Sequence, residues 1–219
     1  MSLIAKDSGG GSFAPVPPGM HLARCYRIVD MGTQTTEFQG QTKHLQKVMM
    51  QFEVHGEDET GKPLVTDKGD PMSISKNFTL SLAEKATLRK DLQAWRGKDF
   101  TGQELRGFEL KNVLGAWAMI TAAKSMGNNG KEYTNIISIN PVPVAIKKAG
   151  LPQGVNKLAI FSIQEPDMEL FGTFGNGLKE KIQSSPEWRA RQGDAYQKEQ
   201  AASANSGSGF DDMEDNIPF

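Results

Sequence analysis

Apolar positions recur with a period of two in five stretches of this chain, which predicts strands whose alternate side chains face opposite ways. Over 43–54, Val48, Met50, Phe52 and Val54 fall on one face and Lys47, Met49, Gln51 and Glu53 on the other. Over 73–80, Ile74, Lys76, Phe78 and Leu80 alternate against Ser73, Ser75, Asn77 and Thr79. A rougher alternation marks 21–31 (HLARCYRIVDM), ahead of a loop over 33–40, and the polar, glycine-rich 56–70 reads as a connection. Further on, 112–124 (NVLGAWAMITAAK) and 132–142 (EYTNIISINPV) read as two strands around a hairpin loop rich in glycine and asparagine, 125–131.

Between the third and fourth strands the period becomes helical. Ser81 and Glu84 have the spacing of a capping box, Leu88, Leu92 and Trp95 recur at helical intervals, and Gly97 supplies a stop, so a helix is expected over 82–96. Thr101 and Glu104 repeat the box and predict a second short turn. Three strands, a helix and two strands is the order of the five-stranded oligonucleotide-binding (OB) barrel. The expected fold class is therefore mainly β with helices, an OB-fold barrel over 20–145. A flexible arm over 1–19, rich in glycine and proline and not expected to enter the core, precedes it. An extension over 146–192 with short helices follows, its last helix over 176–190 interrupted at Pro186. Then come a disordered linker over 193–209 and an acidic tip over 210–219. In such a barrel the binding face carries strands two and three, flanked here by loops at 32–42 and 124–132.

Composition narrows the chemistry. The single cysteine, Cys25, excludes an internal disulfide and a thiolate zinc site, and reads as a small strand residue in a reducing compartment. With no charged leader and no apolar run near the roughly 18 residues of a spanning helix, the expectation is a soluble, cytoplasmic protein without a membrane partner. No phosphate-cradling loop is present, since Gly130-Lys131 is followed by Glu132 and lacks the earlier glycine. His21, His44 and His55 form no zinc-protease motif, and Glu57, Asp58 and Glu59 read as a solvated turn. The expectation is a protein that is not an enzyme, with no cofactor and no metal.

Net charge is −1 overall, but its distribution is uneven: residues 1–209 hold 25 Lys and Arg against 22 Asp and Glu, and 210–219 hold four acids and no base. A mildly basic body with an acidic end points to a polyanionic partner, a competing tail, or both. The tail itself is more specific. Asp211, Asp212 and Asp215 precede Ile217, Pro218 and Phe219, an aliphatic-proline-aromatic hook suited to a pocket that takes the ring and pairs the carboxylate with a cation. This tip resembles the C-terminal tip of bacterial single-stranded DNA-binding proteins, which implies a protein-interaction role for those six residues. Met213, Glu214 and Asn216 depart from an unbroken aspartate run.

Single strands are bound by a cationic track for phosphates interleaved with rings on which bases stack. Arg24, Tyr26, Arg27, Lys43, Lys47, Lys76, Phe78, Trp117, Lys124, Lys131 and Tyr133 form such an interleaving across the five strands and are the candidate DNA-binding residues. Phe78 and Trp117 have an equal reading as core residues; Tyr26, between two arginines, and Tyr133, beside the hairpin, are the better surface candidates. The segments LIAKDSGGG, GMHLARCYRIVDMGTQT, SLAEKATLRKDLQAWRGKDFT and KIQSSPEW are similar to those of a family of phage-encoded replication proteins. That resemblance implies a single-stranded DNA-binding role on an OB barrel, and the expectation is a protein that coats single-stranded DNA without strong sequence preference during phage DNA replication or recombination. Through its tip it would recruit host or phage replication and repair proteins. A strand-annealing recombination protein and a protein-only adaptor on the same scaffold are the alternatives.

Overall fold

Two long strands, β1 (Gly19–Phe38) and β2 (Gln41–His55), pair antiparallel from Leu22 opposite His55 to Phe38 opposite Gln41. The computed structural model describes residues 15–38, 40–127, 130 and 132–193. β3 (Ser73–Thr79), β4 (Trp117–Met126) and β5 (Glu132–Asn140) complete an antiparallel series in the order β3-β2-β1-β4-β5, and β6 (Ala159–Phe161) adds in parallel to β1 at Arg27–Val29. The protein is thus mainly β, a six-stranded sheet with several helices. β3 and β5 are the two ends of the series, run in the same direction and lie close to each other.

The two-residue period decides which side chains meet. Ala23, Cys25 and Ile28, then Val48, Met50, Phe52 and Val54, then Ile74 and Phe78, Ile120 and Ile136 all face inward to a single core. Helix α1 (Thr87–Arg96) lies against β3 and β5 and inserts Leu88, Leu92 and Trp95. Removing each such side chain from water contributes about 1.5–3 kcal/mol. Trp95 packs 5.6 Å from the Phe52 ring and donates its Nε1 hydrogen to the Trp117 carbonyl at 2.9 Å. Burial pushes the Cys25 thiol up to about 12, so at neutral pH it is protonated and packs as an apolar group.

Several boundaries differ from the sequence-based expectation. α1 starts at Thr87, with Ala86 as an N-cap that offers no side chain, and the Ser81–Glu84 box does not form. Leu80 is still hydrogen-bonded to Gln46 of β2, so the chain leaves the sheet at Ser81, whose hydroxyl accepts from the Ala83 N–H instead. The second box does form: the Thr101 hydroxyl and the Glu104 carboxylate each accept the other's backbone N–H at the start of α2 (Gly102–Arg106). Gly97 ends α1 in the left-handed region, at φ 65°. The expected loop at 33–40 is instead the far half of the β1–β2 ribbon, where threonines on both strands favour extended backbone. Over 112–124 the first residues lie in a 3-10 turn, Leu110–Val113, and the strand begins only at Trp117. Val16, placed by sequence in the arm, is buried in the core.

The extension carries α3 (Val144–Ala149), β6, α4 (Met168–Gly172), α5 (Asn176–Gln183) and helical residues 186–193. It builds a second core on the outer side of the sheet, where Val29, Met31 and Met49 meet Phe161, Ile163, Phe171, Phe174, Ile182 and Trp188. The Phe171 and Trp188 rings stack at 4.8 Å, and Phe161 meets Phe174 edge-on at 5.2 Å. Among the described residues no helix is long and apolar enough to cross a membrane.

One glycine fixes how the extension seats. Gly32 lies at a register shift in β1 with φ 65°, and a Cβ there would sit 2.5 Å from the Ser185 Cβ. Gly40, in the ribbon turn, has φ 72° and nothing within 4 Å of such a Cβ. Left-handed backbone costs a side chain about 1–2 kcal/mol at either position, and only Gly32 adds a collision. Gly32→Ala is therefore expected to lower the urea midpoint well beyond the shift produced by Gly40→Ala; equal shifts would show that the Ser185 contact is not tight.

Candidate nucleic-acid interface

The outer face of the sheet is ordered in cross-strand rows. Register places Trp117, Arg24, Glu53 and Ser73 in one row, Arg27, Gln51 and Ser75 in the next, then Val29, Met49 and Asn77, then Gly32, Lys47 and Thr79. The structure thus brings Arg24, Arg27 and Trp117 together on one face, as expected of a binding surface, yet the extension reaches several of them first.

Glu53 is 0% exposed. Arg24 Nε lies 2.8 Å from its Oε1, His55 Nε2 lies 3.2 Å from the same oxygen, and the Val155 N–H, Asn156 N–H and Asn156 Nδ2 donate to the carboxylate at 3.1, 2.6 and 2.7 Å. Arg24 Nη2 donates in turn to the Asn156 carbonyl at 2.6 Å. A Cβ on Gly154 would fall 1.7 Å from Arg24 Cζ, so the extension crosses the guanidinium at backbone distance. Burial alone would raise the Glu53 pKa, but the Asn156, His55 and Val155 bonds outweigh it and hold the carboxyl below its ordinary value. Trp117, half-buried, meets the His55 ring edge-on at 4.9 Å.

In the second row the Arg27 guanidinium lies between two rings, 5.3 Å from the Tyr26 centroid and 5.6 Å from that of Phe174 in the extension. Tyr26, expected on the surface, is 4% exposed, with its hydroxyl 3.3 Å from Ser73 Oγ. Tyr26 falls at the register shift between Cys25 and Arg27, and its burial closes the ring to a stacking base. Phe78 is buried in the core. Lys76 faces inward beside it and pairs with Asp91 of α1 at 2.7 Å. Lys47 donates to Thr79 Oγ1 at 2.8 Å, and Lys43 stands on the exposed half of the ribbon. On the β4–β5 hairpin, Lys124 pairs with Glu132 at 3.0 Å and Tyr133 is 45% exposed. Lys131 and the tip residues Asp211, Asp212, Asp215, Ile217, Pro218 and Phe219 lie outside the described residues, as do the linker beyond residue 193 and the arm before residue 15.

Two features were not among the candidates. One is the set Glu53, Gly154 and Asn156, which joins positions about a hundred residues apart and leaves no local pattern. The other is a cleft of about 560 Å³ between the edges of β3 and β5, lined by Ser73, Ser75 and Asn77 on one side and by Tyr133, Thr134 and Asn135 on the other. The polar half of the β3 alternation was its visible signal. Among the described residues no group of three or more His, Cys, Asp or Glu side chains is placed to hold a metal ion.

No model of a known protein family matches the chain, and no curated protein is significantly similar to it.

The buried pair gives a prediction with a defined sign. Removing one member of a buried ion pair typically costs about 3–5 kcal/mol, because the other charge is left uncompensated. Glu53→Gln keeps the shape and removes the charge, so a loss of up to that size is expected in chemical denaturation at pH 7. Since the folded pKa lies below the ordinary 4.5, the carboxylate's contribution is complete above that pH and declines as pH falls toward the depressed value. The stability of Glu53→Gln is expected to depend less on pH across that interval than wild type; parallel profiles would rule out an ionised Glu53.

Proposed function

We propose that this protein binds single-stranded DNA on an OB-type barrel, coating it without strong sequence preference and without catalysis. The observation that carries this reading is topological. Three antiparallel strands, a helix and two further strands, with the sheet ordered β3-β2-β1-β4-β5 and α1 against both of its ends, agree with a partly open five-stranded barrel. Both flanking connections of the binding face are long hairpins, the β1–β2 ribbon and the β4–β5 turn, and they reach out at opposite ends of the strands. The ribbon's base is tied down by Glu187, whose carboxylate accepts from the Thr33 N–H at 2.9 Å and from the Thr33 hydroxyl.

The resemblance of the tip to bacterial single-stranded DNA-binding proteins supports a recruiting role for 210–219. The tip, anionic like a phosphate backbone, folds back on the basic body when DNA is absent. Binding by phosphate neutralisation releases counterions and is therefore weakened by salt. Arg24 and Tyr26 are poor probes of this function, because their replacement disturbs the buried Glu53 cluster and the Arg27 stack.

The test is fluorescence anisotropy of labelled oligo-dT against duplex of equal length, at low and high salt, with the full chain and a chain ending at Gly209. Tight, salt-sensitive binding to the single strand, tightened further at low salt by truncation, is the expected result. Absence of binding by both chains would overturn the proposal in favour of a protein-only adaptor.

A further inference from the structure

We infer that the cleft between β3 and β5 is the site that takes an unstacked nucleobase, so that the bound strand runs along the open edges of the sheet and not over the outer face of β1 and β2. This rests on the single-strand-binding reading above and assigns its central contact. The outer face is occupied: the Glu53 cluster holds Arg24 under Gly154, and Phe174 covers Arg27. Among the described residues the cleft is open, and at about 560 Å³ it falls within the range of sites for small organic groups.

The lining selects the ligand chemistry. Two edge strands face each other there without pairing, their side chains being hydroxyls from Ser73 and Ser75, amides from Asn77 and Asn135, and the exposed Tyr133 ring at the rim; buried Val16 forms part of the wall. Lys76, the charged residue among them, is neutralised by Asp91 at 2.7 Å. A pocket with donors, acceptors, a ring and no net charge suits a flat, neutral, hydrogen-bonding group and not a phosphate or carboxylate. Asn135 is oriented by its Nδ2 bond to Ser125 Oγ across the hairpin, which leaves its amide oxygen for a base edge. Hydroxyls and amides of this kind accept any base, in keeping with weak sequence preference.

The experiment uses the full chain and oligonucleotides carrying one 5-bromodeoxyuridine, irradiated and digested with trypsin. Cross-links are expected in peptide 132–147, which holds Tyr133 and Asn135, and in 69–76, which holds Ser73 and Ser75. In anisotropy, Tyr133→Leu should weaken oligo-dT binding by about 5- to 150-fold, the range of one lost base stack, and Tyr133→Phe should restore it. Wild-type binding that is unchanged in Tyr133→Leu, with cross-links confined to ribbon peptide 28–43, would overturn the cleft assignment and leave the function standing. Failure of the wild-type chain to bind any single strand would overturn the function and the assignment together.

Discussion

The carboxylate of Glu53 governs how the two halves of this protein are joined. It is an acid on the outer face of a central strand, excluded from water, and so it requires partners. Arg24 supplies the charge from the neighbouring strand, and Val155 and Asn156 supply backbone and side-chain donors from the extension. Because the Val155 and Asn156 donors follow the fifth strand, the sheet itself supplies Glu53 with Arg24 and His55, and the extension completes its set of partners. The aromatic cluster around Phe161, Phe171 and Trp188 adds apolar burial on the same face, and the extension forms a second layer on the sheet.

Under the proposed function, that layer redirects the binding surface. In a plain barrel of this topology, strands two and three would offer their outer side to a ligand. Here the rows through Arg24, Arg27 and Val29 are covered, whereas the polar row ends on β3 remain open, at Ser73, Ser75 and Asn77. The cations gathered on the face serve the protein's own packing: Arg24 compensates Glu53, and Arg27 lies between two rings. What stays accessible is the ribbon, the β4–β5 hairpin and the cleft between the two edges.

Much of the fold was legible because period-two alternation is a local signal. Val48, Met50, Phe52 and Val54 announced β2, and Ile74 and Phe78 announced β3, each set apart from the polar residues of the opposite face. Helix α1 was legible from Leu88, Leu92, Trp95 and Gly97, but its start was not, since a hydrogen bond from Leu80 to Gln46 keeps the chain in the sheet past the apparent cap. The ribbon was read as a loop because Thr33–Glu37 lacks apolar alternation: its partners there are polar, Glu187 for Thr33 and the Lys181 carbonyl for Gln34, so no apolar pattern was required. The surface assignment of Tyr26 failed for a different reason. Flanking arginines signal exposure only when no other layer covers them, and β6, three residues long, carries no periodicity that would reveal such a layer. Tyr133, beside the hairpin turn, is 45% exposed, as its place in the sequence suggested.

Hydrogen–deuterium exchange of the full chain, with and without oligo-dT, tests most directly whether the extension is a fixed layer and the sheet edges are the working surface. The structure predicts slower exchange over 73–79 and 132–136 on adding the oligonucleotide, and no change over 153–188. Faster exchange over 153–188 together with new protection across β1 and β2 would contradict it, because the extension would then be a cover that DNA displaces.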